Sequence, residues 1–83
     1  MKDKIIKIVG DKLDSLNVFI DDVYEEKVGG IKTFYIVLDS DEIIDLNTVV
    51  EATDILNPII DKAGILPDDI DVLDIYAKEK GEK

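Results

Sequence analysis

Eighty-three residues make one domain with a modest core, and the hydrophobic share of 46%, with fourteen Ile, supplies it. Twenty acids against ten lysines leave a net charge of −10, and the chain has no Cys, His, Arg or Trp. That excludes disulfides, thiolate or imidazole zinc sites, thiol nucleophiles, imidazole bases and the two-pronged guanidinium grip on phosphate. The lysines are scattered, so direct sequence-specific nucleic-acid binding is not expected, and the charge favours a basic protein partner. The plainer reading is that acids keep the surface hydrated. No apolar run is long enough to span a membrane, and residues 5–9, broken by Lys7, are too short for a signal peptide. A cytoplasmic monomer is the expectation.

Residues 2–16 carry Ile5, Ile8, Val9, Leu13 and Leu16 at spacings of three and four, which predicts one helix. Ile6 lies off the stripe. Asn17 ends the helix, since Asn tolerates the left-handed conformation. Residues 18–26 are rich in β-branched and aromatic side chains and predict a strand. Its faces conflict, with Val18, Ile20 and Tyr24 on one and Phe19 and Val23 on the other. A bulge or burial on both faces reconciles them. Lys27-Val28-Gly29-Gly30 predicts a turn into a second strand at 31–38, antiparallel to the first. There Phe34, Ile36 and Leu38 alternate with Tyr35 and Val37.

Asp45 is placed to cap a second helix. Leu46, Val49, Val50, Thr53, Leu56, Ile59 and Ile60 trace its inner stripe. Pro58 should kink that helix or restart it as a second piece, because Pro has no amide hydrogen to donate. Gly64 is the natural C-cap. Residues 65–69 form a connector, and residues 70–76 a third strand around Leu73 and Ile75. The order α-β-β-α-β predicts an α+β fold, a two-layer sandwich with two helices on one face of a three-stranded sheet. Residues 1–77 form the domain, and residues 78–83 are expected to be a mobile charged tail.

Over most of the chain this pattern resembles the amino-terminal domain of the bacterial ribosome maturation factor RimP. Asp22-Val23 is similar to the family's first-strand step, and Gly29-Gly30 to its hairpin turn. Phe34, Ile36, Leu38 and Asp39 resemble its second strand. Ile44-Asp45-Leu46-Asn47 resembles the Ile-Thr-Leu-Asp that opens its second helix, with Glu51 and Thr53 following as in the family. Leu73-Asp74-Ile75 looks like its last strand. The chain departs from the family where Tyr76-Ala77-Lys78 replaces a Ser-Ser-Pro-Gly segment, where Asp54 replaces a common Arg, and at Pro58. The family's second, SH3-like domain has no counterpart in these residues. The resemblance implies a non-enzymatic function with no cofactor: binding the maturing small (30S) ribosomal subunit through a basic ribosomal protein. Candidate contacts are Asp21, Asp22, Asp39, Asp41, Glu42, Asp45 and Asp54.

Three other constellations look chemical. Asp14-Ser15-Leu16 matches the tripeptide on which acyl carrier proteins bear phosphopantetheine, so the alternative is a carrier modified on Ser15. Against it, fourteen residues are too few for the helix and long loop that precede that Ser in carriers. Asp39-x-Asp41-x-x-x-Asp45 has carboxylates at three places of a calcium loop. It lacks the loop's Gly at the sixth place and Glu at the twelfth, where Ile44 and Val50 stand. Asp68-Asp69 sits in a connector with no apolar pocket predicted around it to shift a carboxylate toward acid–base work.

Overall fold

A computed structural model of the chain describes residues 1–78. The elements are α1 (Lys2–Val9), a 3-10 turn (Asp14–Leu16), β1 (Phe19–Val28), β2 (Ile31–Asp39), α2 (Leu46–Ala63) and β3 (Val72–Ala77). The fold is α+β in the expected order α-β-β-α-β, with two helices and a three-stranded mixed sheet. Of the charged tail, the Lys78 backbone N–H donates to the Leu38 carbonyl at 2.7 Å, and the expectation for residues 79–83 lies outside the described residues.

The first helix is shorter than its apolar spacing suggests. It stops at Val9, where Gly10 takes φ 59° and ψ −127°, a backbone conformation open to glycine because it has no Cβ. The chain then tightens to three-residue hydrogen bonds, Lys12 to Val9, Asp14 to Asp11, Leu16 to Leu13 and Asn17 to Asp14. That geometry has nearly the period of an α-helix, so Leu13 still returns to the core and Leu16 packs against it. Asn17 does adopt the left-handed conformation, φ 58° and ψ 34°, but it closes the 3-10 turn rather than a long helix.

β2 is the central strand. β1 lies antiparallel to it, and the pairing slips between Ile20 and Asp22, leaving Asp21 as an extra residue. This bulge settles the conflict of faces. Ile20 and Val23 pair with Leu38 and Ile36 on the core side, while Phe19 and Tyr24 pair with Asp39 and Tyr35 on the other. The expected grouping of Tyr24 with Ile20 is therefore corrected, since one added residue inverts the parity of all that follow. Gly29 and Gly30 close the hairpin with φ of 58° and 82°, the positive values that a two-residue loop needs to match strand twist.

β3 runs parallel to β2, with Leu73 beside Phe34 and Ile75 beside Ile36. Parallel neighbours need a crossover, and α2 provides it. Asp45 caps α2, its Oδ1 accepting from the Thr48 N–H at 2.8 Å. That bond, helped by the Thr48 side chain, holds the Asp45 carboxyl below its ordinary range. At the other end Gly64, at φ 59° and ψ 34°, donates to the Ile60 and Asp61 carbonyls. The helix continues through Pro58 as one element of 18 residues, so of the two expected outcomes, a kink or a restart, the restart does not occur. Proline's missing N–H removes a single rung, and Leu56 and Ile60, 0% and 2% exposed, anchor the helix on both sides of it. The inner stripe also differs. Ala52, Leu56 and Ile60 are buried, whereas Leu46 and Val50 are 76% and 51% exposed. The spacing of Leu46 and Val50 fits a helix, but it marks a flank rather than the face that Ala52 presents to the core.

The start of β3 is fastened through Lys32. Its backbone N–H donates to Asp71 Oδ2 at 2.9 Å, and its carbonyl accepts from the Asp71 N–H at 2.8 Å. Its Nζ reaches Asp69 Oδ2 at 2.7 Å and Glu25 Oε1 at 3.1 Å. Asp69 first, then Glu25, raises the Lys32 ammonium above its ordinary range, and Lys32 in turn lowers Asp69.

The core lies between the helices and one face of the sheet. Ile5, Val9, Leu13, Ala52, Leu56 and Ile60 meet Ile20, Phe34, Ile36, Leu38 and Ile75 there. No helix packs on the opposite face among the described residues.

Candidate functional site

The helix-free face of the sheet collects all three tyrosines of the chain. Tyr24 and Tyr35 are register partners on β1 and β2, and their rings stack at 4.7 Å and 21°. Tyr76 of β3 sits beside Val37 and meets Tyr35 edge-on at 6.0 Å and 78°. The Tyr24 and Tyr76 hydroxyls are 2.7 Å apart. That hydrogen bond, then partial desolvation and the nearby Tyr76, Glu26 and Tyr35, pushes the Tyr24 phenol up to about 12. Tyr24 and Tyr76 line a shallow depression with Val37 at its floor, and Val37 is 6% exposed although it faces away from the core.

Apolar surface is concentrated on this side. By register Phe19, Tyr24, Val28, Ile31, Val72 and Tyr76 all belong to it, six of the eleven large hydrophobic residues exposed among the described residues. The strand residues of known charge on the same face are acidic. Asp22, Glu26 and Asp74 are exposed and alternate with the tyrosines, while Lys27 and Lys32 have the parity of the core side.

The seven acids singled out from the sequence fall into three places. Asp21 and Asp22 border the tyrosine depression. Asp21 occupies the bulge, and its Oδ2 lies 3.6 Å from Lys78 Nζ. Asp22 Oδ1 accepts from the Val23 N–H at 2.9 Å. Asp39, Asp41, Glu42 and Asp45 sit at the corner between β2 and α2. That corner is built around Ser40, 5% exposed, whose hydroxyl donates to the Asn17 carbonyl at 2.6 Å and accepts from the Glu42 N–H at 3.2 Å. Asp39 Oδ1 accepts from the Ser40 N–H at 2.8 Å. Asp54 is exposed on α2, across the sandwich from Asp22. These acids do not form one surface.

Ser15 is exposed within the three-residue 3-10 turn, and the segment after it, which a carrier would need as a helix, is β1. Asp45 spends its carboxylate on the helix cap. Among the described residues no group of three or more His, Cys, Asp or Glu is arranged to hold a metal ion. No helix there is long and apolar enough to cross a membrane.

No protein-family model matches the chain, and no curated protein matches it in sequence.

The tyrosine cluster is the feature that sequence reasoning missed. The signal is present in the sequence, since alternation sets Tyr35 on the side away from Phe34, Ile36 and Leu38. Placing Tyr24 and Tyr76 with it requires the Asp21 bulge and the parallel register of β3, neither of which alternation alone reveals.

Proposed function

We propose that this chain is a non-enzymatic binding module for a basic protein, and that the partner belongs to the maturing small ribosomal subunit. The observation that carries the first part is a net charge of −10 spread over exposed acids, Asp22, Asp41, Glu42 and Asp54 among them. Such a field steers a basic partner and rejects nucleic acid that lacks one. The ribosomal part rests on the resemblance to the RimP amino-terminal domain, with which the element order α-β-β-α-β agrees.

Co-sedimentation of the tagged protein with immature and mature small subunits, at low and moderate salt, tests this. Enrichment on the immature particle that weakens as salt rises is the expected result, because salt screens exposed charges. Equal association with both particles, or none, would overturn the assembly reading. Association indifferent to salt would overturn its electrostatic basis.

A further inference from the structure

We propose that the helix-free sheet face is the contact surface, and that it docks an arginine-bearing segment of the basic partner on the Tyr24–Tyr35–Tyr76 platform. This rests on the reading of the chain as a binder of a basic protein, and adds where and by what chemistry it binds.

The face carries the two halves of an arginine site. Tyrosine rings attract a cation over their faces and stack on a planar guanidinium. Carboxylates at Asp22, Glu26 and Asp74 surround the rings on neighbouring strand positions and supply charge-assisted acceptors. The rings are already ordered. Tyr24 stacks on Tyr35, Tyr76 meets Tyr35 edge-on, and a 2.7 Å hydroxyl contact ties Tyr24 to Tyr76 across the central strand. Pre-ordering lowers the entropy lost on binding.

The surrounding charge also chooses among occupants. Aromatic residues on an open sheet commonly stack nucleic-acid bases, but those platforms lie in basic surroundings that hold the phosphates. Here the neighbouring strand charges repel phosphate, and Lys78, which also lines the depression, is paired with Asp21 at 3.6 Å. A second copy of the chain would set the same three carboxylates against themselves, and like charges facing one another across an interface cost affinity. A guanidinium-bearing segment satisfies rings and carboxylates together. Lysine fits less well, because a compact, strongly hydrated ammonium does not stack.

The chain has three tyrosines, all on this face, and no Trp, so its intrinsic emission reports on the platform alone. The test titrates the full chain with an acetylated peptide alternating arginine and glycine, reading tyrosine emission and the anisotropy of a labelled copy. Matched peptides with lysine or citrulline in place of arginine run alongside. The expected result is a saturable change in tyrosine emission with arginine, a weaker one with lysine and none with citrulline. The variant Asp22→Asn/Glu26→Gln/Asp74→Asn should weaken arginine-peptide binding about fivefold or more. Asp11→Asn/Glu51→Gln/Asp61→Asn removes the same charge from the helical side and should weaken it less. These exposed, near-isosteric changes should leave the circular dichroism spectrum and the melting temperature close to those of the parent, so lost binding is not lost folding.

Equal weakening by both variants would show that net charge alone acts, and would overturn the proposal. So would anisotropy reporting binding while tyrosine emission stays unchanged, absence of peptide binding, or dimerisation through this face in sedimentation velocity. The ribosomal reading fails separately. Peptide docking on the face without co-sedimentation sinks that reading and keeps this one. Co-sedimentation without docking does the reverse.

Discussion

The two faces of the sheet are built by the same strands with different chemistry. On β2, Phe34, Ile36 and Leu38 point to one side and are at most 1% exposed, while Tyr35 and Val37 point to the other. The first three side chains have no polar handle and are covered by two helices. The other side covers itself. Tyrosine rings shield Val37, the Tyr24 and Tyr76 hydroxyls bond to each other, and exposed acids stand around them. A side chain with an apolar body and a polar tip lets a sheet face stay open without a second layer. One face therefore carries the stability of the fold, and the other is left open.

The sharpest way to break this comparison is to truncate each side in turn. Leu38→Ala or Leu56→Ala, at sites 0% exposed, should cost about 2–5 kcal/mol by urea unfolding, as other buried large-to-small changes do. The acid-to-amide triple on the tyrosine face should shift the same curve little. A core variant that melts like the parent would show the helices packed elsewhere.

A smaller effect is expected where the first helix ends. Gly10→Ala forces a Cβ into φ 59° and ψ −127° and should cost about 1–3 kcal/mol. Nothing lies within 4 Å of the added carbon, so the cost is backbone strain without a clash. An unchanged melting temperature would place Gly10 outside the positive-φ region and restore the longer helix.

Tyrosine titration, followed by phenolate absorbance, sharpens the account of the open face. Tyr24 should ionise at about 12, because its hydrogen bond to Tyr76 favours the neutral phenol. Tyr76→Phe removes that bond and should bring Tyr24 down. The folded value lies above the ordinary 10.0, so the stabilising contribution is fully present below pH 10 and is lost as pH rises through about 12. A Tyr24 phenol that titrates at its ordinary 10.0 would contradict the paired hydroxyls.

The smallest effect separates structure from binding at Asp45. Asp45→Ala should lower the melting temperature by removing a cap, whereas Asp45→Asn, another good capping residue, should largely preserve it. The carboxyl is held below its ordinary 3.8. Its contribution is present above that value and fades as pH falls through the lowered one, so the alanine variant and the parent should converge in acid. A loss from Asp45→Asn as large as from alanine would mean that the charge, not the capping oxygen, matters.

Much of the fold was legible in the sequence, because strong local rules acted alone at each point. Gly29-Gly30 fixed the hairpin, Asp45 and Gly64 bounded α2, and Phe34, Ile36 and Leu38 marked the core face of β2. The failures came where two geometries share a pattern. A 3-10 stretch and an α-helix both return Val9, Leu13 and Leu16 to the core. Pro58 breaks an isolated helix but not one anchored at Leu56 and Ile60. Ala52, too small to stand out in a hydrophobic stripe, proved to be its centre. The candidate site was less legible, because it depends on strand parity. One bulged residue, Asp21, decides whether Tyr24 joins Ile20 in the core or Tyr35 outside it.

The central claim, one face for folding and one for binding, is tested most directly by co-sedimentation with immature small subunits at low salt. Asp22→Asn/Glu26→Gln/Asp74→Asn would be compared with Asp11→Asn/Glu51→Gln/Asp61→Asn, two variants of equal charge and intact fold. The account predicts that the first loses association and the second keeps most of it. Where the parent associates, equal behaviour of the two variants would show that the tyrosine face holds no special place in binding.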